Sequence, residues 1–342
     1  MTLRSRPYLL NLLLLCLALA LSVAVGSVSI PFNTLVNIFM AQFSRPEIQP
    51  GAIGTLSGIV FKIRLPHTAL IALTGAALGG SGAAYQGLFR NPLADPYLIG
   101  VASGAGLGAV ISMAIHWPQS LFGFYSIPAA AFLGAALTIL IVYNLARVGP
   151  TIPTTTLILA GVAVSAFATS LTSFLMLRSR EEVQRALAWL LGGSAMGGWE
   201  PVIAAVPYIA FGLVVLILSG HSLNLLQFGE EQAQQLGLRV ERTKTILILA
   251  TSLATAAAVS FSGLIGFIGL IVPHLVRLLW GPDYKLLIPL SILGGGSLLL
   301  LADLLARLLL APQTLPVGIV TALAGAPFFL WIMRRVKLQA YW

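Results

Sequence analysis

Ionisable side chains inside apolar runs are where this sequence could do chemistry, and one pair stands out. Asp303 and Arg307 lie in the run Leu-Leu-Leu-Leu-Ala-Asp303-Leu-Leu-Ala-Arg307. At i,i+4 spacing on a helix, a carboxylate and a guanidinium share a face and can pair. An ionisable group at membrane depth reads by default as a functional site, such as an ion or proton relay. It reads equally as a structural pair, because Arg307 falls near the end of the run, and both readings stand. Other reactive residue types are dispersed. No Gly-x-x-x-x-Gly-Lys-Ser/Thr occurs, so no P-loop cradles a nucleotide phosphate. No HExxH, Ser/His/Asp set or paired-carboxylate cluster appears either. The 4 His and 6 Met are scattered, and the 1 cysteine, Cys16, sits in an apolar run. That excludes an intrachain disulfide and a thiolate metal site, and an enzyme has no catalytic constellation to rest on.

The elements that must carry these residues follow from composition. Of 342 residues, 58% are hydrophobic and 8% charged, against roughly 25% charged in a soluble domain. Mean hydropathy is +0.96. A soluble core of this size could not bury so much apolar surface, so the surrounding solvent is lipid. Apolar segments fall at 8–30, 66–89, 94–115, 122–146, 154–177, 200–219, 244–262, 264–280, 286–306 and 315–333. All are expected to be helices, because lipid leaves an isolated strand with unpaired backbone groups. Segment 264–280 is short and reads as broken by Pro273. The expectation is about ten transmembrane helices in a single domain over 1–342. The segment 8–30 follows Arg4 and Arg6 as a signal peptide would, but it is long for one and reads as an uncleaved first helix.

The net charge of +9 reads as cytoplasmic loops rather than nucleic-acid binding. With the N-terminus inside, the inner side holds Arg4, Arg6, Arg90, Arg147, Arg239, Arg242, Lys244, Arg277, Lys285, Arg334, Arg335 and Lys337. The outer side holds the smaller set of Arg45, Lys62, Arg64, Arg178, Arg180, Arg185 and Arg307. This places both termini in the cytoplasm. Residues 31–65, with Pro31, Pro46 and Pro50, read as an outer loop. Residues 178–199 read as another, with a short surface helix over Val183–Leu191. Residues 220–243 form the longest polar inner loop.

A weak repeat lies under this pattern. At an offset of 181 residues, Thr74, Ala76, Ala77, Ser81 and Gly82 fall on Thr255, Ala257, Ala258, Ser262 and Gly263, and Pro92 falls on Pro273. Five helices separate the copies, and an odd number inverts the second, as in many transporters. Small residues crowd some helices, among them Gly75, Gly79, Gly80 and Gly82, Gly104, Gly106 and Gly108, and Gly294 to Gly296. Tight bundle packing accounts for most of them.

Several runs together resemble the FecCD-type ABC importer permeases, the family that moves ferric siderophores, haem and vitamin B12. They are Arg64-Leu-Pro-His67, Gly75-Ala-Ala-Leu-Gly-Gly-Ser-Gly-Ala-Ala-Tyr-Gln86, Arg90-Asn-Pro-Leu-Ala-Asp-Pro-Tyr-Leu-Ile-Gly100 and Ser103-Gly-Ala-Gly106. Trp189-Leu-Leu-Gly-Gly-Ser194, the run from Gly263 through Pro273-His274 to Arg277, Ala302-Asp303, Arg307, Leu315-Pro-Val-Gly318 and Gly325-Ala-Pro-Phe328 complete the set. The resemblance covers about residues 20–333. It implies a type II ABC importer permease in a bacterial or archaeal inner membrane. The chain would be a homodimer with its pathway on the dimer axis. Two ABC ATPase subunits would bind below it and an extracytoplasmic binding protein above. ATP and Mg would be held by the ATPase, with no cofactor on this chain.

The resemblance also assigns roles. Phe228, Gly229, Glu230, Glu231, Gln234, Leu236 and Gly237 match coupling helices that dock into the ATPase. A short polar helix stopped by Gly237 suits that task, although a plain interfacial helix would read the same way. Asn91 and Leu93 match one inner-gate segment, and Thr154 and Thr155 match the other by position. A turn at Asn91-Pro92 and a helix N-cap at the threonines are compatible local readings. Arg64 and Arg307 match arginines that receive acidic residues of the binding protein. Relatives often carry Arg where His67 stands, which weakens one docking contact or makes it pH-dependent. The implied cargo is a bulky metal chelate, since no Met, Cys or His array lines up for naked metal. An ion-gradient-driven secondary transporter is the alternative, and Asp303 is the one ion site it could use.

Overall fold

The computed structural model describes residues 6–26, 30–44, 52–115, 125–177, 180–193 and 197–339. Arg4, Arg45, Pro46, Pro50, Arg178 and Ser194, named above, lie outside them. Among the described residues the chain is helical, with one isolated β-bridge between Val148 and Thr151. Seven helices are long and apolar enough to cross a membrane, and three shorter apolar helices accompany them. In chain order they fall on the ten segments read from hydropathy.

The first half begins with α1 (Arg6–Ala24) and α2 (Phe32–Ser44). Then α3 (Ala52–Gly58), a π-helical turn (Ile59–Arg64) and α4 (Leu65–Leu88) run on without a break. After them come α5 (Val101–Ala114), α6 (Ser126–Ala146), α7 (Thr154–Met176), the short α8 (Arg180–Leu190) and α9 (Glu200–Leu218). Two small helices, α10 (Gly220–Leu226) and α11 (Glu230–Gln235), lead to α12 (Val240–Ser262). The chain closes with α13 (Ile268–Trp280), α14 (Tyr284–Leu309) and α15 (Val317–Gln339).

The repeat is visible in helix lengths. The series α4, α5, α6, α7 has 24, 14, 21 and 23 residues, and α12, α13, α14, α15 has 23, 13, 26 and 23. Packing follows the same exchange, with α4 against α14, α12 against α6, and α4 against α12 at the centre. Small residues set these approaches. A Cβ on Gly75 or Gly79 would overlap the carbonyl oxygens of Gly295 and Ser291, so α4 and α14 touch backbone to backbone. Gly104, Gly108 and Gly134 join α5 to α6 likewise.

Three expectations need correction. Residues 31–65 are not simply a loop. Pro31 stands just before α2, and its carbonyl accepts from the amides of Thr34 and Leu35, so this proline starts a helix rather than breaking one. Next, residues 91–100 are not helical. The side chains of Asn91 and Asp95 accept from the amides of Leu93 and Tyr97 at 2.9 and 2.8 Å. These are local turns that compete with helix, and each precedes a proline. Helix resumes after Gly100, which sits at φ +89°. Finally, Pro273 does not break its segment but lies inside α13. The break comes earlier, over 263–267, between Gly263 and Phe267 with positive φ.

The two irregular stretches, 91–100 after α4 and 263–267 after α12, meet. The Tyr97 hydroxyl donates to the Ile265 carbonyl at 2.9 Å. Irregular backbone inside a bundle needs such internal partners, because lipid supplies none.

Candidate functional site

The candidate residues fall at the two ends of the bundle. At the first end, α1 terminates against α4 and α14. Arg64, the last residue of the π-helical turn, is 7% exposed, and its Nη1 donates to the carbonyls of Val23 (2.9 Å) and Ala24 (3.0 Å). Arg307 Nη1 donates to the carbonyls of Ser22 and Val25, and its Nη2 donates to Ser22 Oγ at 2.8 Å. Two cations therefore satisfy the carbonyls that the last turn of α1 leaves open, where the helix dipole also favours positive charge. The π turn makes this possible. Pro66 cannot donate a backbone bond, and the Leu65 amide reaches back five residues to Val60. That widening re-aims Arg64 onto α1.

Asp303 completes the cluster. Its Oδ2 lies 2.9 Å from Arg307 Nη2 and its Oδ1 lies 3.0 Å from His67 Nε2. The i,i+4 pair expected from the sequence is present, with a second partner contributed by α4. Oδ1 is hydrogen-bonded to His67, whereas Oδ2 lies within ion-pair distance of Arg307 but accepts no hydrogen bond. The two arginines that the resemblance matches to binding-protein docking thus both donate to carbonyls at the end of α1.

At the opposite end, α10 and α11 form a knob. The Leu238 amide donates to the Ala233 carbonyl and the Gly237 amide to that of Gln234. With Gly237 at φ +87°, this is the Schellman stop expected from the sequence. Ala233 is buried, whereas Glu231, Gln234 and Gly237 are exposed. Phe228 and Leu236 expose 68% and 61% of their surface. Gly229 at φ +112° turns the chain into α11. Two apolar side chains thus flank a polar helix turned away from the bundle.

Glu230 is different. Its Oε2 accepts from Lys244 Nζ at 2.6 Å, and Lys244 is 4% exposed. Lys244 also donates to Glu241 Oε1 (3.1 Å) and the Ile152 carbonyl (3.3 Å), and Glu241 Oε2 accepts from the Ile152 amide (2.9 Å). Glu230, which the resemblance matches to the docking helix, is thus also bonded to the buried Lys244 while its side chain stays partly exposed. From its place in the sequence Lys244 reads only as a loop cation. Its partners lie 14 and 92 residues away in the chain, and no local spacing announces them.

Both candidate gate segments begin beside this knob. Asn91 and Leu93 are exposed just past α4, and Leu93 lines a narrow pocket with Leu270, His274 and Phe328. Thr154 and Thr155 are the first residues of α7, half-buried and exposed. They do not cap it, because Pro153 holds the N-cap position and no side chain bonds there. Gly161 on α7 packs against Leu98 and Ile99, so the 91–100 stretch and α7 adjoin.

The sequence matches the FecCD transport family over residues 13–335, and the chain belongs to that family. It is 44% identical to the cobalamin import system permease protein BtuC of Halobacterium salinarum, over 94% of this chain and 84% of that one. It is 39% identical to the hemin transport system permease protein HmuU of Yersinia pestis, over 96% and 95%. A solved structure described as an inward-facing conformation of a metal-chelate type ABC transporter superposes with a TM-score of 0.82. That structure is 30% identical, covering 95% of this chain and 97% of its own.

Proposed function

We propose that this chain is the membrane-spanning subunit of an ATP-driven importer for a bulky metal chelate, working as a homodimer. The carrying observation is the knob at Phe228–Gly237, a capped polar helix with two exposed apolar side chains. Such a surface suits a cleft on another protein, and an ABC ATPase is the partner that the family supplies. The ATPase holds ATP and Mg. Phe228 and Leu236 provide apolar contact, Glu231 and Gln234 the polar rim, and Gly229 and Gly237 the turns that present them. Both termini and the knob face the cytoplasm, as the lysine and arginine bias indicates.

The substrate-binding protein seats at the other end, near Arg64 and Arg307. In the free chain both guanidinium groups cap α1, so a partner carboxylate reaching them competes with the carbonyls of Ser22 to Val25. The inner gate lies at Asn91 and Leu93 and at Thr154 and Thr155. The relatives' named cargoes, cobalamin and hemin, are both bulky metal chelates, and this chain is assigned that class.

The test is co-purification. Phe228→Glu with Leu236→Glu is expected to abolish recovery of a co-expressed ABC ATPase while leaving the permease folded. Glu231→Gln should leave recovery nearly intact, as rim contacts contribute little. Undiminished recovery with the double variant would remove the docking assignment.

A further inference from the structure

The buried ammonium of Lys244 is unused by the roles above. It joins three segments that the chain separates. Its Nζ reaches Glu230 at the start of α11, Glu241 in the first turn of α12, and the carbonyl of Ile152. An ammonium has three N–H donors, and here each has one acceptor. Glu241 holds the Ile152 amide as well, so both backbone polar groups of Ile152 are gripped from α12.

The link from Ile152 into α7 is stiff and short. Pro153 fixes its own φ and restricts the residue before it, and Thr154 then opens α7. On the upstream side, Val148 and Thr151 close a tight turn by paired backbone bonds. The Tyr143 hydroxyl pairs with Thr245 Oγ1 at 3.0 Å, holding the end of α6 to α12. A second link leaves the same knob, because Gln227 Nε2 donates to the Gly87 carbonyl at 3.0 Å, just upstream of Asn91. The knob is therefore tied to the approach of each candidate gate segment, once through an amide and once through a buried charge. Apolar packing at the charged node would let the segments slide. Three directed hydrogen bonds fix angle as well as distance.

We infer that Lys244 is a positioning residue that makes α11 and the start of α7 move as one body. Movement imposed on the knob then reaches Thr154 and Thr155 through Glu230, Lys244 and Ile152. The inference rests on the permease reading above, and it assigns the transmission path inside this chain.

The experiment uses the full complex of permease, ABC ATPase and binding protein in liposomes, with cyanocobalamin, hemin and ferrichrome as probes. Hydrolysis and uptake are measured together for the parent, Lys244→Met, Lys244→Arg and Glu230→Gln. In Lys244→Met, hydrolysis is expected to stay within about twofold of the parent while uptake per ATP falls about tenfold or more. Lys244→Arg, which keeps charge and donors, should recover most of the ratio. Glu230→Gln should lower it in the same direction. Because Glu230 is partly exposed, it carries the test should Lys244→Met fail to fold. Hydrolysis and uptake falling in parallel at a constant ratio would overturn the inference, since the node would then only hold the docking surface. An unchanged ratio with full uptake would overturn it as well. A parent complex that imports none of the probes with ATP would instead remove the permease reading.

Discussion

Asp303, Arg307, His67 and Ser22 form one partly buried network at the end of α1. Removing Arg307 leaves Asp303 with a single partner and reopens the carbonyls of Ser22 and Val25. Breaking a buried pair from one side costs about 3–5 kcal/mol. Arg307→Ala is therefore expected to lower the apparent Tm of the detergent-solubilised chain strongly. Ser22→Ala, which deletes one acceptor, should cost about 1 kcal/mol. Equal melting of Arg307→Ala and the parent would show that the network contributes nothing. The Asp303–Arg307 pair was legible in the sequence because helical spacing alone brings it together. His67 and Ser22 were not, because they stand 236 and 285 residues from their partners. The capping of α1 by Arg64 was hidden likewise, because its acceptors lie 41 and 40 residues away.

Among the elements, hydropathy located the ten apolar helices well, since each must present apolar surface to lipid on at least one side. It misplaced the breaks. Asn91, Asp95 and Gly263 impose local turns inside runs that remain apolar, and Pro31 begins a helix where a loop was expected. The repeat, faint as a sequence match, is plain as a helix-length series, because packing preserves length and small-residue contacts better than residue identity. The contact between α4 and α14 is the place to test this. Gly79→Ala would place a methyl group on the Ser291 carbonyl and should cost about 1–3 kcal/mol through overpacking. Gly58 has helical φ of −58° and open space around it. Gly58→Ala should therefore be neutral or stabilising by up to about 1 kcal/mol. Thermal unfolding of both variants in one detergent checks the contrast, and a reversed order would contradict the close approach.

For the whole molecule, the two ends of the bundle do different work. At one end, charged side chains satisfy the carbonyls of α1. The other presents a capped polar helix and ties it to both candidate gate segments. The outward half of this arrangement was legible, because Gly237 and the polar run around it mark a helix stop. The inward half was not, because Lys244 acquires meaning only when Ile152 and Glu230 are brought to it. In the proposed importer, energy enters from a partner ATPase rather than from an ion gradient. The direct measurement is uptake of cyanocobalamin, hemin or ferrichrome by the reconstituted complex, with ATP on the knob side and all ion gradients collapsed by ionophores. The account predicts uptake that requires ATP and survives loss of the gradients. Uptake that follows a proton or sodium gradient without ATP, and is lost in Asp303→Asn, would contradict it.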